Sequence, residues 1–178
     1  MPSDPPSQRG NAALLAGQPI AFFCSQSCPG DLILKAQDWA NSRGPDATPV
    51  VGGLQTTAER NVLRVLLRGG TPIIQVLAWA LNEALVPATL RNAENAVRAL
   101  IASSFTVSFC QNTARNADPR NRYILSFAAI ILSAHASPGG KAETLATRAI
   151  ARSIAIETLN SPANTNKVVL CALIGTVQ

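Results

Sequence analysis

Short uninterrupted apolar runs alternate along the chain with longer stretches in which apolar residues recur at every third or fourth position. Ile20-Ala21-Phe22-Phe23-Cys24 ends at small polar residues and predicts a first strand. Ser25 to Gly30 read as a loop, and Leu32, Ala36, Trp39 and Ala40 predict one face of a helix from about Asp31 to Asn41. After a turn-rich connector over Arg43 to Thr48, Pro49-Val50-Val51 predicts a brief second strand ending at Gly52-Gly53. Thr56-Thr57-Ala58-Glu59 fits a capping box, with Leu63, Leu66 and Leu67 as the apolar face that follows and Gly69-Gly70 as the stop. A third strand is predicted over Pro72 to Leu77. Leu90, Ala93, Val97, Leu100 and Ile101 recur at helical spacing, and Phe105 to Cys110 predict strand four. Asp118-Pro119 reads as an N-cap and first-turn pair for a helix to about Phe127. Ala129 to Ala134 predict strand five. Gly139-Gly140 open a helix with Ala142, Leu145, Ala146, Ala149 and Ile150 inward. Ile154-Ala155-Ile156 predict strand six, and the apolar Lys167 to Val177 a strand or a short helix.

Strand and helix therefore alternate about five times, which predicts a single domain built on an open, mostly parallel α/β sheet with helices on both faces. In such sheets a ligand lies beyond the carboxyl ends of the strands, at the switch point. The turn residues Ser25, Gly52, Gly53, Arg115 and Pro138 to Gly140 would share that edge. The polar, Pro-rich start predicts a flexible tail over residues 1–16 and a folded domain over 17–178.

Composition narrows the classes. The chain has 178 residues, 47% hydrophobic and 14% charged, so a buried core is affordable and general disorder is excluded. Aromatics are only 4%, so the core is built from Ala, Val, Ile and Leu, side chains slim enough for helices to pack closely on a sheet. A net charge of +5 permits anionic partners without naming one. No run of about 18 apolar residues predicts a membrane span, and the N-terminus lacks a secretory layout. Of the four cysteines only Cys24 and Cys28 are close, and His135 is the one histidine, so no metal site is expected. Apolar neighbours of Cys110 and Cys171 predict buried reduced thiols in a cytoplasmic protein.

Three clusters carry candidate chemistry. Pro138-Gly139-Gly140-Lys141 joins a strand to a helix start, where small residues admit a ligand and N–H groups favour an anion; a tight turn made for packing fits the same residues. Arg120-Asn121-Arg122 follow the Asp118-Pro119 start, where the helix dipole is positive and arginine is disfavoured by about 0.3–1 kcal/mol. A bound phosphate reverses that sign; a carboxylate such as Asp118 relieves it internally. Arg60, Arg64 and Arg68 recur at i, i+4, i+8 and form a basic stripe suited to a phosphate backbone, or a solvated helix face. Ser25 after strand one is a further phosphate-binding candidate. His135 reads as a hydrogen-bonded structural residue, and Trp79 as a gap filler that could also stack on a base. There is no Ser-His-Asp order, no supportive carboxylate pair and no Walker A sequence, so no catalytic residue and no cofactor are expected.

Asp118-Pro119-Arg120-Asn121-Arg122-Tyr123-Ile124, an apolar strand, and then Pro138-Gly139-Gly140-Lys141-Ala142-Glu143-Thr144-Leu145 resemble the Rossmann-like core of the DNA-processing protein A (DprA, or Smf) family, within the wider lysine-decarboxylase-like superfamily. Val51-Gly52-Gly53-Leu54 resembles the turn after that core's second strand, and the resemblance runs from about Ile20 to Asn160. It implies a non-catalytic module that binds a nucleotide or single-stranded DNA, self-associates and serves DNA uptake or recombination. The positions it marks are Gly52, Gly53, Arg120, Asn121, Arg122, Gly139 and Gly140. The chain departs from it at Cys24-Ser25-Gln26, where the family has Gly-Ser-Arg, and at Leu54 to Ala58. The runner-up is the related nucleotide phosphoribohydrolase group, signature P-G-G-x-G-T-x-x-E. Here Pro138-Gly139-Gly140 match, but Ala142 and Ala146 stand at the last glycine and the catalytic glutamate. A sensor of a nucleotide derivative is a third reading.

Overall fold

The computed structural model describes residues 6–81, 86–105 and 116–165, and the backbone of 174–177. Strands are β1 (Ser7–Gly10), β2 (Ile20–Cys24), β3 (Val50–Gly52), β4 (Ile73–Leu77), β5 (Ala99–Ser103), β6 (Ile130–His135), β7 (Ala155–Leu159) and β8 (Ile174–Val177). Helices are α1 (Gly30–Asn41), α2 (Thr57–Gly69), α3 (Ala88–Asn95), α4 (Ala117–Ile124), α5 (Lys141–Ile150) and the short α6 (Pro162–Thr165). The strands form one sheet in the order β1-β5-β4-β3-β2-β6-β7-β8, parallel except for β1.

Alternation along each strand sorts the core into two layers. Phe22, Val50, Ile73, Ile101 and Leu132 face α1, α2 and α3, which bury Leu32, Ala36, Val62, Leu66 and Leu90 against them. Their neighbours Ala21, Val51, Ile74, Leu100 and Ile131 face α4 and α5, which bury Ile124, Leu145, Ala146 and Ala149. Alanines at the helix contacts let the backbones lie close to the sheet, as the low aromatic content predicts. The chain runs outward from β2 through β3, β4 and β5, then returns to lay β6 on the other side of β2. The α2 capping box is formed: Thr56 Oγ1 accepts from the Glu59 N–H at 3.2 Å and Glu59 Oε2 accepts from the Thr56 N–H at 3.1 Å.

Several elements differ from the sequence expectation. Ser7–Gly10 are not loose: they pair antiparallel with β5, the Arg9 guanidinium holds Glu94 at 2.7 Å, and Leu14 and Leu15 of the 3₁₀ helix Ala12–Gly17 pack on the second layer. Leu100 and Ile101 belong to a strand rather than to the preceding helix. α3 ends as Val97 turns to a φ of 60°, and the two residues then point into opposite core layers. Their helical spacing from Leu90 arises because β5 is apolar on both faces, so its run carries no period of two. The predicted strand over 105–110 lies outside the described residues from 106 onward, as do Arg115, Cys110 and Cys171. α4 begins at Ala117 after Asn116, so Asp118 stands inside the first turn instead of capping it. In the region predicted as strand or short helix, Ile174–Val177 pair with β7 as a strand.

Candidate functional site

The loops after β2 and β6 leave the sheet toward opposite faces, one into α1 and the other into α5. Where they part, a crevice opens at the carboxyl edge, as the doubly wound topology requires. Its volume is about 600 Å³. One wall is Cys24 to Ser27 after β2, and another is Ser137 with Gly140 to Ala142 at the start of α5. Gln55, Thr56 and Glu59 of the α2 start and Ala117, Arg120 and Asn121 of α4 complete it. The two central loops are tied together. The Ser25 N–H donates to the His135 carbonyl at 2.8 Å, and the Ser25 hydroxyl accepts from the Ser137 N–H at 2.7 Å. The β2–β6 register shifts by one residue between Phe23 and Cys24, a bulge at the rim that re-aims the following loop.

Two buried charges define the floor. Glu59 is 5% exposed. Its Oε1 accepts from the Cys24 N–H at 3.1 Å, and its Oε2 from the Gln55 and Thr56 N–H groups at 2.8 and 3.1 Å. One carboxylate therefore joins the end of β2 to the start of α2 and fills the donors an anion would otherwise meet there. Arg120 is 7% exposed, and its Nε and Nη2 donate to Asn121 Oδ1 at 3.1 and 2.9 Å. Among the described residues it has no carboxylate partner within ion-pair distance. Burial pulls its guanidinium below the usual arginine range, opposed by the field of Glu59. The shape of the site depends on Gly53: a Cβ there would lie 2.2 Å from Arg120 Cζ and Nη1, so only glycine lets the guanidinium lie flat on the β3–α2 turn.

The remaining groups are held in structural roles. His135 Nδ1 lies 3.3 Å from Asn164 Oδ1, and Asn164 donates to the Ala134 and Leu159 carbonyls. Trp79 is half-buried against the first core layer, as expected of a gap filler. Burial raises both the Cys24 and Cys28 thiols above the ordinary cysteine range, so neither is a thiolate nucleophile at neutral pH. Among the described residues no group of three or more His, Cys, Asp or Glu could hold a metal, and no helix is long and apolar enough to cross a membrane.

Of the residues singled out from sequence, Ser25, Arg120, Asn121, Gly140 and Lys141 line the crevice and Gly53 backs Arg120. Gly52 and Gly139 do not line it. Gly52 lies beneath, with its Cα side facing the Phe22 carbonyl and Leu54. Gly139 takes a φ of +69° and donates its N–H to Glu143 Oε2 at 2.6 Å. Arg122 is a correction: it turns away to Asp118 at 2.7 Å, and Arg148 pairs with the same carboxylate. Arg60, Arg64 and Arg68 are exposed on α2, outside the crevice. Glu59 is the residue sequence reasoning missed as part of the site. The capping box marked it, but only the sheet order brings β2 against the α2 start. Ala146, at the glutamate position of the hydrolase signature, is buried in the second core layer.

The arrangement defines a doubly wound α/β domain with a crevice at the switch point, anchored by a buried arginine. More narrowly, the fold is that of the DprA Rossmann core. The chain superposes on DNA processing protein A from Streptococcus pneumoniae with a TM-score of 0.78 at 16% identity, over 97% of this chain and 62% of that one. It thus spans less than two thirds of the pneumococcal protein. With DNA processing protein A from Helicobacter pylori the TM-score is 0.77 at 16% identity, over 98% and 83% of the two chains. The molybdenum cofactor binding protein of Rippkaea orientalis shares the fold more loosely, with a TM-score of 0.61 at 8% identity over 90% and 88%. No protein-family model matches the chain, and no curated protein matches it in sequence.

Proposed function

We propose that the crevice is a non-catalytic binding site for a phosphate-bearing nucleotide, free or as a unit of single-stranded DNA. The observation that carries this reading is Arg120. Glu59 offsets the desolvation of this buried guanidinium only through its field, without an ion pair or hydrogen bond, and an anion in the crevice supplies the direct partner. Lys141, the start of α5 and the Ser25 hydroxyl surround the same space. The Helicobacter protein of the same fold is described by its single-stranded DNA binding mode, which supports a nucleic-acid ligand. Glu59, engaged by three N–H groups, and Ala146, inside the core, argue against glycosidic hydrolysis. Self-association belongs to the same reading.

Calorimetric titration with nucleoside monophosphates and short single-stranded oligonucleotides tests it. Arg120→Gln should weaken binding about 10- to 100-fold, the worth of one charge-assisted hydrogen bond. Equal affinity in parent and variant overturns the reading. A second reading, a binder of a cofactor, is supported by the looser likeness of fold to the molybdenum cofactor binding protein of Rippkaea orientalis. Binding of molybdenum cofactor in preference to any nucleotide would select it.

A further inference from the structure

The crevice does not end at its rim. Thr56 and Glu59 in the first turn of α2 line it, and Arg60 is the next residue on that helix. From there Arg60, Arg64 and Arg68 continue along one exposed face, spanning about 12 Å at 1.5 Å per residue. Among the described residues none of the three has a carboxylate within ion-pair distance. Arg64 meets only the Asn61 amide oxygen at 3.4 Å, and Arg68 only that of Asn41 at 3.1 Å. Arg60 also stands in the first helical turn, at the positive end of the dipole, where a cation is disfavoured. A solvated helix face commonly spaces arginines to meet glutamates one turn away. Here Thr57, Asn61 and Val65 occupy the positions beside them.

We propose that the exposed face of α2 is a second contact surface for the ligand of the crevice, so that the molecule binds an extended single-stranded nucleic acid with one nucleotide in the crevice and following phosphates along Arg60, Arg64 and Arg68. The inference rests on the crevice reading. The partner is a strand rather than a membrane because the stripe has no apolar flank to enter lipid. Leu63, Val65 and Leu67 are packed against the core beneath it. It is a contact to phosphate and not to bases, so it adds affinity without sequence preference.

Fluorescence anisotropy with single-stranded oligonucleotides of increasing length, against a mononucleotide measured by calorimetry, tests this on the full chain. For the parent, affinity should rise from one nucleotide to several and then level off. The variant Arg64→Gln/Arg68→Gln should lose that rise and keep the mononucleotide affinity, because neither residue lines the crevice. For single strands each neutralised phosphate contributes about −0.7 to the slope of log affinity against log salt, so the double variant should flatten the slope by about 1.4. Between 50 and 200 mM salt this is a difference of about sevenfold in how much affinity is lost. An unchanged slope, or a parent that binds long oligonucleotides no better than a mononucleotide, overturns the inference and leaves the crevice reading standing. A parent that binds neither ligand overturns both. Equal affinity for duplex overturns the choice of a single strand.

Discussion

Replacing Gly53 with alanine should disable the crevice from behind. The β3–α2 turn at Gly53 is outside the left-handed region, so the backbone accepts alanine without strain. The added methyl has no space: its ideal position is 2.2 Å from Arg120 Cζ and Nη1 and 2.6 Å from Nε. To restore ordinary contact near 3.5 Å the guanidinium must move by more than about 1 Å. That breaks its bonds of 3.1 and 2.9 Å to Asn121 Oδ1. Because the clash falls on the far end of a flexible side chain, the fold should yield cheaply. Overpacking costs about 1–3 kcal/mol, and the stiffer unfolded chain returns about 0.4–1 kcal/mol. Binding should suffer more, since a displaced donor loses a charge-assisted hydrogen bond worth about 1.5–3 kcal/mol, or 10- to 100-fold in affinity. Calorimetry with a nucleoside monophosphate beside thermal unfolding separates the two effects. The decisive measurement is a double-mutant cycle with Arg120→Gln. If Gly53→Ala acts through the guanidinium, the double variant binds no worse than Arg120→Gln alone. Additive losses, or an alanine variant that binds like the parent, would refute the reasoning.

Two further outcomes follow from strain and charge away from the crevice. Val97 holds a φ of 60° at 64% exposure, a conformation that costs a β-branched residue about 1–2 kcal/mol, so Val97→Gly should raise the unfolding temperature despite losing a side chain; a lower value refutes this. The Arg148 guanidinium, helped by Arg122, holds the Asp118 carboxyl below the usual carboxylate range. A group with a depressed folded pKa contributes stability above its unfolded value, near 3.9, and loses it as pH falls through the folded value. Asp118→Asn should therefore be less stable than the parent at pH 7, by under about 1 kcal/mol because Asp118 is 42% exposed, and indistinguishable from it well below pH 4; a gap that persists in acid contradicts the pairing.

The sequence by itself determined the alternation of elements, because local rules act within a few residues. The apolar run Ile20 to Cys24, the capping box at Thr56 and Glu59, the glycines at 139 and 140, and the expectation of a crevice at the carboxyl edge were all legible there. Arg120 was legible as an irregularity, a cation close to a helix start; Arg122, read the same way from sequence, lies in the last turn of the short α4, where the dipole favours a cation. What only the tertiary structure decided was which arginine serves the crevice. Arg122 is two residues further on, a rotation of about 200° that carries it away from the crevice to Asp118 one turn back on its own helix, while Arg148 of α5 meets the same carboxylate from across the fold. The tertiary structure also decided that Leu100 and Ile101 part to opposite faces and that Ser7–Gly10 close the sheet edge, since strand pairing joins residues 90 or more apart. Glu59 shows the same division most plainly. Its bonds to the Gln55 and Thr56 N–H groups follow from five consecutive residues, while its bond to the Cys24 N–H exists only because β2 and β3 lie side by side.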